Sequence, residues 1–447
     1  MANSRLPFEY VLDESAPSAT AWGGLPVLEE AMDKWGITEA LRRDVKLGGR
    51  RKFDAADIVK TVALMLAAGG DCVDDVEVLR ADRALQALVD REFPAAETLR
   101  QSLDLFHDQQ LVEEAQRNAQ SKAFVPEESE RLRGLHTAIV QTALEAQRRF
   151  PVKVATLDID ATIQESHKQA AKPHYKNGLG YQPLVAVWAE QDLVVDDQFR
   201  DGNVPAHFDA LGVAQRAFAA LPPGIEVRRL RADKQMYSVE TLMWLLREGI
   251  QFAVGIIKRD GFNDACKALP EAQWQFLETR SDSRLDVCEV SYLPERMRHA
   301  KGLRYIAVRL TPLQGELLDP DRSVRHLGVV TNREGDVREI LDWYWAKAGT
   351  VEHVHDVMKN ELGAGVLPSG RFGANAAWYR ISALTYNLLS ILRRASDEKL
   401  HNARPKRLRL HLFALPVVLA RHARRLIARA SQWLWPAHHV MRLRLAL

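Results

Sequence analysis

Three carboxylates in this chain stand where they could hold divalent metal ions: Asp160, Asp233 and Glu352. Asp160 closes the run Leu157-Asp-Ile-Asp160, and Asp233 closes Arg231-Ala-Asp233. Alternate residues of a strand share a face, so Asp158 and Asp160 point the same way, one to face a metal and one to support it. Carboxylates at the C-terminal ends of strands sit where α/β folds place their chemistry. Glu352 falls on a predicted helix just after the small residues Ala348 and Gly349. Two strand ends and a helix can together hold two divalent ions about 3.5–4 Å apart. Magnesium takes oxygen ligands and keeps several waters, so few protein ligands suffice. Such a pair activates an attacking water or 3′-hydroxyl and stabilises the leaving oxygen of an in-line displacement at phosphorus. The same residues have plainer uses. An Asp at a strand end also caps a turn or helix, and a helical Glu is ordinarily solvated. Spacing alone leaves both readings open.

The elements that must position these acids follow from periodicity. Residues 1–150 are mostly helical: Val27–Trp35 has helical spacing, as does Ala55–Ala67, which ends in the helix stop Ala68-Gly69-Gly70. Further helices are predicted around Val76–Arg83 and Ala96–Phe106. The pattern changes at Pro151. Val152–Asp160 is alternating and β-branched, hence a strand. Tyr181–Ala189 and Leu193–Arg200 are two more, with Glu190-Gln191-Asp192 as a hairpin turn. Helix Ala206–Leu221, strand Glu226–Ala232, helix Ser238–Glu248 and strand Gln251–Lys258 follow. This order describes a mixed sheet with helices packed on it. Residues 262–335 break the alternation with short strands at Gln273–Glu278, Leu285–Tyr292, Leu303–Leu310 and His326–Thr331. Helices return at Thr350–Glu361 and Ala376–Ala395. Between them Leu362–Gly373 is glycine-rich, with neither a preceding strand nor a Lys-Ser/Thr pair, so it is a linker and not a phosphate loop.

Composition bounds the rest. The chain has 447 residues, enough for two or three domains. With 47% hydrophobic and 27% charged residues, it is an ordinary globular sequence. Net charge is only +2, but from Arg393 onward Arg and Lys are opposed by Asp397 and Glu398 alone. A basic end on a near-neutral chain fits either a polyanion partner or a solvated basic helix. The three cysteines, Cys72, Cys266 and Cys288, are widely spaced, without zinc-site spacing, and suit a reducing compartment. The N-terminus lacks the apolar core of a signal peptide, and no stretch approaches the ~18 apolar residues of a membrane helix. The expectation is a cytoplasmic, nucleoid-associated protein with no membrane partner.

Several motifs then fall in a telling order: Asp158-Ile-Asp-Ala-Thr162, Tyr175–Leu184, Asp201-Gly-Asn203, Arg231-Ala-Asp233, and Tyr344–Glu352 with Lys359. Over roughly residues 50 to 430 the chain resembles an insertion-sequence transposase of the DDE type. It is most similar to the branch with a Tyr–Arg–Glu–Lys signature that includes insertion sequence group thirteen-eighty. The resemblance implies an α/β ribonuclease-H-like mixed sheet flanked by helices, with a β-rich insertion, an N-terminal helical domain and C-terminal helices. The implied organisation is a DNA-end-binding helical domain at 1–150, a catalytic domain at 151–261 and 336–396, an insertion at 262–335, and a basic helical region at 397–447.

The resemblance also implies roles. Asp160, followed by Ala and Thr, matches the first catalytic, metal-binding acid, Asp233 the second and Glu352 the third. Two Mg2+ ions are implied, with Mn2+ as a substitute. Tyr344 and Lys347 match residues that contact DNA phosphates near the cut, although Lys347 replaces the signature Arg and the gap to Glu352 is one residue longer than usual. In the other register Trp345 and Ala348 fill those places. Lys359, seven residues past Glu352, lies two helical turns along the same face. Trp274, the single Trp of the insertion, is the candidate to stack a flipped base, with core packing as the alternative. The implied partners are double-stranded DNA, both terminal inverted repeats and target, and a second copy of the chain. The implied activity is two-metal strand cleavage and transfer. A catalytically silent DNA-binding descendant and a nuclease that cuts without joining are the alternatives.

Overall fold

Residues 18–257, 260–313 and 324–447 are described by the structure, a computed structural model. Residues 1–17 of the N-terminal region, the Lys258 end of a predicted strand and residues 314–323 of the insertion lie outside them. The centre is one nine-stranded sheet. Its strands are β1 (Val154–Ala161), β2 (Leu184–Trp188), β3 (Leu193–Gln198), β4 (Val227–Ala232), β5 (Gln251–Gly255), β6 (Gln275–Thr279), β7 (Ser283–Val290), β8 (Arg304–Pro312) and β9 (Arg325–Thr331). Their order across the sheet is β6-β7-β8-β9-β5-β4-β1-β2-β3. β1 pairs antiparallel with β2 and parallel with β4, and β4 pairs parallel with β5. Three antiparallel strands followed by two parallel ones form the expected ribonuclease-H-like arrangement.

The four strands of the insertion do not form a separate sheet. β9 pairs antiparallel with β5, Val330 opposite Val254, so β6–β9 extend the central sheet. Each lies within a few residues of its predicted position. The segment also opens with a short helix, Asp260–Lys267, where only strands were expected.

Helices cover both faces. Ahead of the sheet, α1 (Ala55–Ala68) starts with Asp54 and Asp57 exchanging side-chain-to-backbone hydrogen bonds of 2.9 and 3.0 Å, a reciprocal N-terminal cap. It ends at Gly69, whose φ of +105° requires glycine. Residues 55–67 of α1 are almost wholly buried, as are 373–392 of a later helix, Phe372–Ala395. Helices apolar on all sides belong in an interior. These two, with Pro26–Lys34, Ile37–Asp44 and α2 (Glu130–Arg149), share one core that reaches β3. Val194 of β3 gives its N–H and C=O to the amide of Asn387 at 2.8 and 2.7 Å. Arg380 donates to the Asp197 carbonyl at 3.0 Å. Side chains of the long helix thus complete the backbone bonding of the outer strand.

The remaining helices are α3 (Ala210–Ala219), α4 (Val239–Arg247), α5 (Val337–Trp345), α6 (Val351–Glu361), the long helix α7 (Phe372–Ala395) and α8 (Trp435–Ala446). Among the described residues no helix is long and apolar enough to cross a membrane. The basic end departs from the expectation of helices. After Pro416, Val417–His422 and Arg425–Arg429 form a β-hairpin, joined at its root by Ala19–Thr20. The apolar β-branched pair Val417-Val418 starts the ribbon, and Pro416 prevents the preceding helical turn from continuing.

Candidate active site

Parallel pairing of β1 and β4 sets Asp158 beside Arg231 and Ile159 beside Ala232. One step further, Asp160 and Asp233 stand level at the ends of adjacent strands. Asp233 uses one oxygen as a cap, accepting the Gln235 N–H at 2.9 Å. Its carboxyl is pushed up, first by burial and further by the nearby charge of Asp160, against the pull of the Gln235 N–H and of Lys347. Asp160 accepts the Ala161 N–H at 3.0 Å, and its other oxygen meets the buried Lys347 ammonium at 3.3 Å. The chain therefore leans its own cation on the first acid of the pair.

Tyr344 comes to the same place from the end of α5. Burial, then the charges of Asp233 and Asp160, keep its hydroxyl protonated well above the usual range. This approach needs Gly255 at the end of β5. A Cβ there would lie 2.9 Å from both the Tyr344 Oη and the Lys234 nitrogen, inside van der Waals contact.

Asp158 has a different duty from Asp160. It is fully buried and paired at both oxygens with Arg231, each contact 2.7 Å. The same Arg231 donates to the Trp343 carbonyl at 2.6 Å, and Thr350 donates its hydroxyl to Asp158. Trp343 and Thr350 bracket the linker between α5 and α6. One buried ion pair thus clamps both ends of the segment that carries Tyr344 and Lys347 and leads into the first turn of α6, where Glu352 stands. The Arg231 guanidinium also lies 5.4 Å from the Trp343 ring centre, whose ring meets Arg333 at 4.1 Å.

Glu352 is in the first turn of α6 and exposed. The three acids do not gather within 4.8 Å of one another. Among the described residues Asp71, Cys72 and Asp75 do, and there Asp75 accepts the Asp71 and Cys72 N–H groups as a turn cap. Lys359, exposed further along α6, donates to the Ile163 carbonyl at 3.3 Å, over the segment that follows Asp160. Trp274 lies apart, in the extended half of the sheet. Its ring sits 4.6 Å from the Arg309 guanidinium and 5.6 Å from His326. Arg309 is itself held by Glu271 and Asp286.

Two further groups belong to this region. His355, 7% exposed, faces Asp160 from α6. Burial lowers its imidazole to about 4, so the ring is neutral. Its position four residues past Val351, in the buried stripe Val351-Val354-His355-Met358, is the one sequence signal that marks it. The Asp201-Gly-Asn203 motif bridges the small sheet of Gln164–Glu165, Lys172–Pro173 and Leu179–Tyr181, with Asp201 opposite Tyr181. Burial pushes Asp201 up to about 6, partly offset by Lys172.

Comparison with known proteins gives two findings. Residues 12–446 match a protein family described as transposase DDE domain group 1. The piggyBac transposase, in a cryo-EM synaptic complex with hairpin DNA, is similar in fold at a TM-score of 0.48 and 12% identity, over 89% of this chain and 81% of that chain. No curated protein matches the sequence.

Proposed function

The chain belongs to the transposase DDE domain group 1 family, and from that premise we propose that it cuts DNA at the ends of a mobile element and joins them to target DNA, with Asp160, Asp233 and Glu352 holding two magnesium ions. One observation carries the reading. Asp160 and Asp233 end adjacent parallel strands, near enough for the charge of one to raise the carboxyl of the other, with the Lys347 ammonium 3.3 Å from Asp160. Repelling carboxylates with a cation against one of them form an oxygen donor set suited to a hard divalent ion. When bound, such ions supply Lewis acidity at the phosphoryl oxygens and lower the pKa of the attacking hydroxyl.

The chain's own residues do the rest. Asp160 and Asp233 are fixed by the sheet. Glu352 stands on α6, two residues past the linker that Asp158 and Arg231 clamp at Thr350, so that pair would govern how the third acid meets the other two. Lys347 would pass from Asp160 to a phosphate oxygen of the bound strand. The Tyr344 hydroxyl, held protonated, can donate to another. Lys359 would hold the strand next to the cut as a point charge. Trp274 is assigned a packing role, because its ring already lies against the Arg309 guanidinium and the His326 ring. Two copies, each holding one terminal inverted repeat, would bring the element ends together.

The test is Asp160→Asn in the full chain. Cleavage of a labelled duplex carrying the element end should fall to background in magnesium buffer, while binding of that duplex persists. Titration with Mn2+ should register fewer bound ions than in the unaltered chain. Continued nicking and joining by the variant would overturn the site.

A further inference from the structure

We propose that the hairpin Val417–Arg429 is an arm that inserts into a groove of duplex DNA; this rests on the reading of the chain as acting on DNA. The arm is a ribbon of two antiparallel strands, His422 opposite Arg425 and Val418 opposite Arg429. Its root is fixed. Val417 is buried, Leu419 donates to the Ser18 carbonyl at 2.8 Å, and Val418 pairs with Ala19. Beyond the root, every residue from Arg421 to Trp433 is exposed.

The charge of the arm is of one sign. No Asp or Glu occurs anywhere after Glu398. Among the described residues, the ion pairs of the basic end are those of Arg393 with Asp192, of Arg404 with Asp356 and Glu361, and of Arg444 with Glu30. Among the described residues, none involves Arg421, Arg424, Arg425 or Arg429. The tip is also unusual. Ala423 and Arg424 both have positive φ, 47° and 64°, in a two-residue turn that ordinarily takes Asn or Gly. The chain thus accepts a costly backbone conformation with a guanidinium at the outermost point.

The disposition of the cations selects the partner. Cross-strand pairing puts Arg425, Arg429 and His422 on one face and Arg421 on the other, with Arg424 at the tip. A flat anionic surface such as a membrane would call for cations on one face. A ribbon standing between two phosphate walls needs them on both. Paired strands lie about 4.8 Å apart, and the major groove of B-DNA, about 12 Å wide, admits such a ribbon. Arginine's planar fork matches phosphate oxygens.

The experiment uses the full chain carrying Asp160→Asn, so that DNA is bound but not cut. A second protein adds Arg421→Gln, Arg424→Gln, Arg425→Gln and Arg429→Gln, and a third has Lys at those four positions. Binding to a duplex carrying the element end is measured across a salt series. Each lost phosphate contact removes about 0.9 from the slope of log K against log salt. The Gln protein should lose about 2–4 in slope and at least ~10-fold in affinity at 0.1 M salt, and the Lys protein should recover the slope. An unchanged slope in the Gln protein would overturn the arm and leave the catalytic reading intact. Loss of binding to anionic phosphatidylserine vesicles with DNA binding intact would overturn it in favour of a membrane. Failure of the Asp160→Asn chain itself to bind the duplex would overturn both readings. An Asp160→Asn chain that still cuts would overturn only the site.

Discussion

The strand ends around Asp158 and the ribbon around Arg424 hold charge in opposite ways. At the strand ends the charges are buried or half-buried and engaged: Asp158 with Arg231 and Thr350, Asp160 with Lys347. In the ribbon, four arginines are exposed and, among the described residues, none is in an ion pair. The contrast separates two uses of the same chemistry. Buried charge fixes geometry, because an ion taken out of water must find its partner or cost several kcal/mol. Exposed charge fixes nothing in the fold, so it is available to a partner.

This contrast can be broken most severely at Arg231. Arg231→Met leaves Asp158 buried without its cation and frees the linker before α6. We expect a loss of about 3–5 kcal/mol in urea unfolding, and loss of cleavage even under conditions where the variant stays folded. A change below about 1 kcal/mol would show that the pair does not organise the linker. Gly255→Ala should come next. Its methyl group meets the Tyr344 hydroxyl and the Lys234 backbone at 2.9 Å, and overpacking of this kind costs about 1–3 kcal/mol. Tyr344→Phe in the same chain should recover part of that loss.

A pH series sharpens the comparison at Asp201. Its carboxyl is raised to about 6 by burial, against about 3.9 when unfolded. Between those values the folded state binds more protons, so its contribution to stability is largest at low pH and declines as pH rises from about 4 to 6. Asp201→Asn removes this decline, and the variant should gain about 1–3 kcal/mol on the parent between pH 4 and 7. A constant difference across that range would show that Asp201 does not titrate this way. The smallest expected effect lies in the ribbon. The four Arg→Gln changes should shift stability by no more than about 0.5 kcal/mol, although the same protein loses salt-dependent DNA affinity.

The strand ending at Asp160 was legible because alternation and β-branching extend up to the acid, and the strand ending at Asp233 because it falls between two helical stretches. The helix of Glu352 and the four added strands were legible for similar reasons. What escaped depends on contacts distant in sequence. The Asp158–Arg231 pair spans 73 positions and exists only once β1 and β4 adopt their register. His355 looks like one more member of a buried stripe until the face of Asp160 is set against it. α7 reads in sequence only as a helix, yet it is enclosed by elements from the first 150 residues, by β3, and by α6 and α8. The ribbon hid for another reason. Its turn carries Ala423-Arg424, with none of the glycine or asparagine that announces a hairpin, and arginine is a good helix former.

Asn387 and Arg380 have a consequence beyond satisfying backbone groups. A sheet of nine strands ends in two borders, and an open border invites another chain to add a strand. At β3 the Val194 N–H and C=O are taken by Asn387 and the Asp197 C=O by Arg380. That border is shut to strand addition, by fibril growth or by a second copy of the chain. Any pairing of copies through this nine-stranded sheet must therefore begin at its opposite border, β6.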